Sequence, residues 1–468
     1  EDLPAPTAGL SAAALKRPVS TLASDEMQGR LTGTPAGRKA ARYVAAQFEK
    51  AGLTPVPGQA GYFQPFEFVS GVRLGTPNAL TVASALGRVV YGVEKDFLPT
   101  GFSDDASLKD LPVVFAGYGI QASDPKWDDY EGLDVKGKAV FVYRDGPEGD
   151  DPKSPYALYY SLRYKAMAAR EKGAAALIVV GASPEDDEIS PLRVSSVAGS
   201  SGLPVLTAKR ALLERWLKEG GKAYPDPKNP HGGELRFEVP DARLSLDVTL
   251  IREKSKADNV LAWLPATTKS AETVIVGAHY DHLGLGIEGS LDEKPGRVHH
   301  GADDNASGVA GVLELARTLS LQPERGRNLL FMAFGGEELG ALGSSHFVKN
   351  PLVPLKGVAA MGNLDMIGRL RGDSLVVAGS GTSPAFKPLL ERANTEGLKL
   401  SFNDDGYGAS DQGVFYARDV PVLFFLSITS SQPATAGDKV PRYAHCRASV
   451  PLLLSSGPMS TLAGCHCS

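Results

Sequence analysis

The sequence predicts an α/β protein with a mostly parallel central sheet, helices on both faces of that sheet, and a smaller inserted β-rich α/β domain. The first observation is that short apolar runs alternate with helical patterns from about Ala242 onward, which is typical of a parallel sheet buried on both faces. The second is that residues 111–232 carry a strand, turn and helix pattern of their own. We therefore expect residues 1–72 and 241–468 to form the larger domain, and residues 73–240 to form the insert.

A helix is predicted near the N-terminus, from Pro35 to about Ala51. Thr34 is a suitable N-cap, proline favours the first helical position, and Gly52 follows the last turn. Within the insert, apolar runs and a Lys-Ala helical pattern predict further elements, and a Pro- and Gly-rich segment closes it. The predicted strands are residues 111–120, 139–143 and 174–180, the helix is 165–173, and the closing segment is 224–233.

Four apolar runs are the predicted strands of the larger domain, since each is short and bounded by turn residues or charges. Helical patterns lie between them, as a parallel sheet requires. The strands are Val274–Ala278, Leu329–Phe334, Val358–Leu364 and Val420–Phe425, and the helices are Ala306–Leu319 and a segment from Pro384 to about Thr395.

Net charge and hydropathy limit the kinds of binding partner that we expect for the protein. The chain has 49 basic and 54 acidic residues and a net charge of -5, with the basic residues dispersed, which does not favour binding to nucleic acid. No apolar run approaches the ~20 residues that span a bilayer, so no membrane partner is expected. The chain begins at Glu1 with an Ala- and Pro-rich stretch, and we expect a secreted or periplasmic protein whose export signal has been removed. The sequence does not indicate an oligomeric state.

Potential metal ligands directly follow the first three predicted strands of the larger domain. Because the carboxyl ends of parallel strands meet at one edge of a sheet, we expect these side chains to converge there. A fourth segment, residues 301–308, adds carboxylates just before a helix. The groups that follow the strands are His279 and Asp281, then Glu337 and Glu338, then Asp365.

One imidazole among several carboxylates suits Zn²⁺, and a carboxylate can bridge two ions ~3.5–4 Å apart. The abundance of carboxylates over histidines favours a site for two ions. His279 and Asp281 are two residues apart on an extended segment, so both leave the same face and Asp281 can orient the His279 ring. Because Glu337 and Glu338 are adjacent, one can bind metal while the other acts as general base.

Each of these residues has a simpler explanation when it is taken alone. A histidine at a strand end is usually hydrogen-bonded, a pair of glutamates is usually a solvated surface, and residues 303–305 fit a turn capped by an Asp side chain. Their joint occurrence after successive strands is what favours a metal site. His299 and His300 are assigned to a loop with no catalytic role.

In this order and approximate spacing, the motifs resemble those of the co-catalytic di-zinc aminopeptidases, the bacterial leucyl-aminopeptidase-like metallopeptidases. Residues 23–41 and 61–68 are similar to the opening segments of that family, and the insert resembles the protease-associated domain. The resemblance covers nearly the whole chain. The motifs are His279-x-Asp281, Gly301–Gly308, Glu337-Glu338, Asn363–Met366, and Gly406-Tyr407 with Ser410-Asp411.

The resemblance implies a zinc exopeptidase-like fold and two zinc ions. It implies that His279 and Asp365 hold one ion, that Glu338 holds the other, and that Asp303 bridges them. Glu337 would take a proton from the water that the ions share, and Asp281 would support His279. By the same resemblance the Asp303–Asp304 peptide is cis, Tyr407 donates to the carbonyl oxygen as it becomes an oxyanion, and Ser410 and Asp411 are supporting groups. The alternative for Tyr407 is a loop aromatic packed on the surface.

The chain departs from the family near its C-terminus. The family has a fifth ligand, a histidine, shortly after the last strand, and Ser431 stands at that place here. Serine cannot replace an imidazole as a zinc ligand, and His445 is the nearby candidate. The segment from Ser427 is also Ser-rich and nearly free of charge, as expected of a divergent or misread terminus. If no fifth ligand exists, we expect the second zinc ion to bind weakly.

The function expected from these residues is release of N-terminal amino acids from peptides by a zinc-dependent exopeptidase. A carboxypeptidase of the same architecture is the alternative enzyme, and Arg369 and Arg371 are the residues that could hold its substrate carboxylate. A binding or receptor module that has lost its metals is the alternative outside enzymes.

Overall fold

A computed structural model describes residues 11–427, apart from 86, 152, 184–185, 195–199, 220–234 and 287–295. His445 and Ser431 therefore lie outside the described residues. The described helices are α1 Ala12–Leu22, α2 Pro35–Lys50, α3 Leu162–Glu171, α4 Ala211–Glu219, α5 Gly308–Ser320, α6 Leu342–Lys349, α7 Phe386–Ala393 and α8 Gln412–Tyr416. The described strands are β1 Phe63–Leu74, β2 Ala79–Ser84, β3 Gly87–Tyr91, β4 Phe97–Pro99, β5 Ala106–Ala116, β6 Gln121–Ser123, β7 Lys126–Asp128, β8 Ala139–Tyr143, β9 Ala176–Val180, β10 Val205–Ala208, β11 Arg236–Val248, β12 Leu250–Leu264, β13 Thr273–His279, β14 Asn328–Phe334, β15 Val358–Leu364, β16 Ser374–Ala378, β17 Lys399–Asn403 and β18 Val422–Leu426.

The chain divides into two compact units. The larger unit comprises Glu1–Phe68 and Ser255–Ser468, and the smaller unit is Val69–Lys254. The boundary predicted after residue 240 falls inside strand β11. The register of β11 against β5 shifts between Val239 and Arg243, and this bulge accommodates Pro240 without ending the strand.

The larger unit contains an eight-stranded sheet in the order β1-β12-β14-β13-β15-β18-β16-β17. Its four central strands, β14, β13, β15 and β18, are mutually parallel. Strand β12 is antiparallel to β14, and β16 is antiparallel to β18. The predicted mostly parallel sheet is therefore confirmed, and each predicted strand of this domain overlaps an observed one.

Helices cover both faces of this sheet. Side chains from α1, α2 and α5 pack with one face in a single apolar cluster, and side chains from α6 and α8 pack with the other. Helix α2 begins as predicted, since the Thr34 hydroxyl accepts a hydrogen bond from the Gly37 amide. Helix α5 begins at Gly308 instead of Ala306, because residues 302–307 form a wider turn that precedes it.

The smaller unit is β-rich, with an eight-stranded sheet in the order β3-β2-β11-β5-β8-β9-β10-β4. Strands β5, β8, β9 and β10 are parallel, and β11 is antiparallel to both β2 and β5. Helices α3 and α4 contribute to separate apolar clusters of this unit. Among the described residues no helix is both long and apolar enough to cross a membrane.

Candidate metal centre

The centre lies where three parallel strands of the larger unit end side by side. Strand β13 ends at His279, and its neighbours β14 and β15 end at Phe334 and Leu364. Backbone directly after these ends carries Glu337, Glu338 and Asp365. Parallel pairing therefore brings residues from three separate segments of the chain to one edge of the sheet, as the sequence predicted.

The His279 ring is buried, and its Nε2 atom faces carboxylates. Nε2 lies 3.2 Å from Asp304 Oδ1, 3.4 Å from Asp365 Oδ1 and 3.8 Å from Glu337 Oε2. On the other side of the ring, Nδ1 lies 3.2 Å from the carbonyl oxygen of Asp281. When Nδ1 donates to that carbonyl, Nε2 is left as a lone pair that points at the carboxylates, which is the tautomer that binds a metal ion.

The spacing of these atoms fits a zinc ion. Two ligands at ~2.0–2.1 Å from a tetrahedral metal stand about 3.3 Å apart, and the Nε2 distances to Asp304 and Asp365 are 3.2 and 3.4 Å. His279, Asp304 and Asp365 also form a group whose possible ligand atoms all lie within 4.8 Å of one another. Asp365 Oδ1 is buried and has no hydrogen-bond partner among the described residues, so a cation would satisfy it.

The electrostatics of the cluster also favour a bound cation. Burial alone would lower the pKa of His279, but the carboxylates of Glu337 and Asp365 raise it well above its usual range. Burial opposes ionisation of Asp304, yet the His279 imidazole lowers its pKa to about 2. Burial raises the pKa values of Glu337 and Glu338. Several carboxylates are thus held close together with little solvent around them. A divalent ion would compensate their negative charge.

Asp303 was expected to bridge the two ions, but in the structure its side chain is directed to other partners. The Asp303 carboxylate accepts hydrogen bonds from Arg369 Nε and the Gly368 amide, each at 2.7 Å, and from the Ser307 hydroxyl at 3.1 Å. Asp304 takes the place next to His279 instead. The cis peptide is likewise one residue later than expected, between Asp304 and Asn305.

The backbone around Asp304 explains this arrangement. Gly301 has a φ of +56°, and a Cβ atom there would lie 2.2 Å from the Asp304 carbonyl oxygen and 2.5 Å from the His282 ring. Only glycine fits so close an approach with that φ. Asn305 anchors the other end, since its Nδ2 donates to the Leu364 carbonyl at the end of β15. The loop that carries Asp304 is thereby fixed to the strand that precedes Asp365.

Asp281 joins three segments of the centre. Its carboxylate accepts a hydrogen bond from the Thr32 hydroxyl at 2.8 Å and from the Glu337 amide at 3.1 Å. Its Oδ1 atom lies 3.7 Å from His279 Nδ1, so the carbonyl of Asp281 is closer to the ring than the carboxylate is. Asp281 is fully buried, and the contact with the Glu337 amide holds the turn that follows β14.

Polar side chains also contact Glu338 and Asp365 at the centre. His282 Nδ1 lies 2.6 Å from Glu338 Oε1, and the Ser410 hydroxyl donates to Asp365 Oδ2 at 2.8 Å. Asn363 in turn donates to Ser410. Asp411 beside it is fully buried, and burial raises its pKa to about 7.

Arg30 is a buried cation behind the centre that the sequence analysis did not single out. Its guanidinium donates to four carbonyl oxygens at 2.6–2.9 Å, those of Leu22, Tyr280, His300 and Gly301. Tyr280 adjoins His279, and Gly301 begins the loop that carries Asp304. Burial lowers the pKa of Arg30 to about 10, yet the nearby carboxylates, of which Asp304 is the strongest, favour its charged form.

Tyr407 is not brought to the cluster by any described contact. Its side chain is 62% exposed, and its ring packs edge-on against Tyr416 with centroids 4.7 Å apart. The surface-packed alternative describes this position. A loop residue next to Gly406 offered no sequence pattern that separates the two roles.

The comparisons with known proteins agree with this architecture. Residues 259–449 match the model of Peptidase family M28. Aminopeptidase YwaD of Bacillus subtilis is 28% identical over 348 residues, which cover 74% of this chain and 60% of that relative. The Mycobacterium tuberculosis protein named "Probable lipoprotein aminopeptidase LpqL" is 27% identical over 417 residues, which cover 84% of this chain and 68% of that relative. The chain thus spans about two thirds or less of the length of these relatives.

One solved structure has a similar fold. The structure of BSAP, described as a zinc aminopeptidase from Bacillus subtilis, superposes with a TM-score of 0.51 at 22% identity and covers 96% of this chain and 95% of that one. The family match contains every strand end of the metal centre, and the resemblance found in the sequence is confirmed. Residues 259–449, which lie within the larger unit, thus match the model of peptidase family M28.

Proposed function

We propose that this chain is a zinc-dependent aminopeptidase that releases N-terminal amino acids from peptides. The observation that carries the proposal is the position of His279 Nε2, which lies 3.2 and 3.4 Å from the Asp304 and Asp365 carboxylates and 3.8 Å from Glu337. Relatives named as aminopeptidases support the reaction, and the name of BSAP supports zinc as the metal.

His279, Asp304 and Asp365 are the residues that would hold the first zinc ion. Glu338 and the second oxygen of Asp304 would contribute to a second ion. When bound there, zinc would supply polarisation of a water molecule and of the scissile carbonyl, and it would stabilise the negative charge that develops. The chain supplies the buried, acidic surroundings that make such an ion bind and that attract the α-ammonium group of a peptide.

Glu337 is the proposed general base. Its backbone is fixed by the hydrogen bond from its amide to Asp281, and its carboxylate stands 3.8 Å from His279 Nε2, beside the metal ligands. It takes one proton from the attacking water, whose oxygen bonds to the scissile carbon. It then passes that proton to the peptide nitrogen as the C–N bond breaks and the amine leaves.

A carboxypeptidase is less well supported. Such an enzyme needs a cation to hold the free carboxylate of its substrate. Arg369, one of the two candidates, donates from Nε to buried Asp303 at 2.7 Å, so part of its guanidinium is engaged inside the protein. Arg371, the other candidate, has an exposed side chain. A binding module without metal is less well supported as well, because it does not require a carboxylate such as Glu337 beside the ligand group.

The test is a Glu337→Gln variant with Glu391→Gln, an exposed glutamate of α7, as the matched control. Loss of the general base should lower kcat on leucine p-nitroanilide by ~10²–10⁴-fold, while zinc content stays at the wild-type level. Glu391→Gln should retain full activity. Near-normal turnover of Glu337→Gln, or loss of its zinc together with activity, would remove Glu337 from the role of general base.

Substrate class is tested with the same wild-type protein. An aminopeptidase cleaves leucine p-nitroanilide and leaves the N-acetylated compound intact. Cleavage of N-blocked peptides from their carboxyl end would instead support the carboxypeptidase alternative. No hydrolysis of either class by zinc-loaded protein would favour the binding module.

We propose two further properties with narrower support. The smaller unit is a protease-associated domain that selects substrates or partners, since its described residues contain no group of three metal-ligating side chains. Replacing residues 69–254 with a short linker should then change relative rates on short and long peptides more than zinc content. The protein is also exported, which the name of the lipoprotein relative supports, and cell fractionation tests this.

A further inference from the structure

His282 lies against the same carboxylates as His279, on the side of Glu338. Its Nδ1 atom is 2.6 Å from Glu338 Oε1, and its side chain is buried. His282, Asp304 and Glu338 form a group whose possible ligand atoms all lie within 4.8 Å of one another. The sequence analysis gave His282 no role, although it stands one residue after Asp281.

Two ligand groups therefore meet at Asp304. One consists of His279, Asp304 and Asp365, and the other consists of His282, Asp304 and Glu338. A carboxylate has two oxygens and can bridge two cations. Each group then provides one imidazole, one terminal carboxylate and one oxygen of the shared carboxylate.

We propose that His282 is the imidazole ligand of the second zinc ion, with Glu338 and bridging Asp304 as its other protein ligands. The proposal rests on the proposed zinc peptidase function. Without His282, the described residues offer this ion two carboxylates, one fewer than the three protein ligands usual for a catalytic zinc ion. With His282, three protein ligands for the second ion are present within the segment that matches the family. We therefore expect this ion to bind tightly, whereas the sequence had suggested weak binding.

The packing around the His282 ring indicates that it is held in position before a metal ion binds. A Cβ atom at Gly301 would lie 2.5 Å from His282 Cδ2, so the ring packs directly against the backbone of the loop that carries Asp304. The ring of buried His299 is also near, with its centroid 6.4 Å from that of His282. A ring confined in this way loses little freedom when it binds a metal ion.

The competing explanation is that His282 only orients Glu338 by a hydrogen bond. Asparagine separates the two roles, because its side-chain amide reaches the position of Nδ1 and can donate to Glu338 but is a poor zinc ligand. The experiment compares wild type, His282→Asn and His282→Ala, all as the full chain. His300→Asn is the control from the neighbouring loop, and His445→Asn tests the candidate near the C-terminus.

Each protein is freed of metal with a chelator, and retention of fold is checked by circular dichroism. Zinc is then titrated in metal buffers, and the bound equivalents are counted by mass spectrometry. Co²⁺ absorption spectra report the coordination of each equivalent. We expect two equivalents for wild type, His300→Asn and His445→Asn. We expect the second equivalent to bind more than about 100-fold more weakly in both His282 variants, beyond the ~10–100-fold effect of an orienting partner.

The other outcomes distinguish this proposal from the function on which it rests. Two tight equivalents in His282→Asn, with weakening only in His282→Ala, would assign His282 to orientation and overturn the proposal. Loss of the second equivalent in His445→Asn alone would overturn it too. If wild type and His282→Asn each bound a single equivalent of zinc, the proposal would be overturned, but the chain could still be a peptidase that uses one zinc ion. Wild-type protein that binds no zinc would contradict the proposed function itself.

Discussion

Arg30 offers a demanding test of how the metal centre is held, because it lies about 250 residues away in sequence from the loops it supports. Its four hydrogen bonds to carbonyl oxygens include those of Tyr280 and Gly301, next to the proposed ligands. Replacement by methionine keeps an unbranched side chain that reaches about as far as the Arg30 Nε atom, and it removes every donor. The four carbonyls would then be buried without that partner.

The magnitude follows from two opposing contributions. Hydrogen bonds to a charged group contribute ~1.5–3 kcal/mol each, or roughly 6–12 kcal/mol for four if they were additive. Burial lowers the pKa of Arg30 from 12.5 to about 10, which corresponds to about 3 kcal/mol lost by confining the charge. Because neighbouring bonds are not additive, we expect Arg30→Met to lower the free energy of unfolding by ~3–5 kcal/mol.

The assay measures urea unfolding and zinc affinity of the full chain. The matched control is Arg38→Met, since exposed Arg38 donates a single hydrogen bond, to the Gly33 carbonyl, and should matter by less than ~0.5 kcal/mol. Zinc affinity of Arg30→Met should fall by ~10–100-fold, as for other residues that orient metal ligands. An Arg30→Met protein that matches Arg38→Met in both measurements would refute the reasoning.

Two further predictions concern the metal centre, and a third concerns a buried lysine of the smaller unit. Asp304→Asn should abolish tight zinc binding, whereas Asp303→Asn should retain zinc and lose stability because Arg369 loses the negative charge of its buried partner; the reverse result in equilibrium dialysis would restore the original assignment. Ser410→Ala should weaken zinc binding by ~10-fold through the lost hydrogen bond to Asp365, with unchanged affinity as the contrary result of the same titration. Burial lowers the pKa of Lys165 from 10.5 to about 7, so the unfolded chain binds the extra proton between those pH values and stability rises with pH there. Relative to Lys165→Met, wild type should gain up to ~1.4 kcal/mol per pH unit from pH 7 to 9.5 in urea unfolding, and a pH-independent difference would contradict the low pKa.

The strand ends of the metal centre could be predicted from short stretches of sequence, because two physical rules link such stretches to structure. Apolar runs such as Val358–Leu364 indicate buried strands, and parallel strands bring their carboxyl ends to one edge. His279 and Asp365 follow such runs directly. Their proximity therefore required no knowledge of distant contacts.

The choice between Asp303 and Asp304 could not be made in that way. Both are adjacent carboxylates, and the one that faces the metal depends on Arg369, which lies 66 residues further along the chain and binds Asp303. The role of Arg30 depends in the same way on carbonyl groups about 250 residues distant. Side-chain partners at such separations leave no periodic pattern in the sequence, so only the folded arrangement reveals them.

Zinc anomalous diffraction from crystals of the protein grown with zinc shows directly whether His279, Asp304 and Asp365 hold a zinc ion. We expect a peak ~2.0–2.2 Å from His279 Nε2 and from one oxygen each of Asp304 and Asp365. A zinc peak that is coordinated by Asp303 instead of Asp304, or that lies away from His279 altogether, would contradict it.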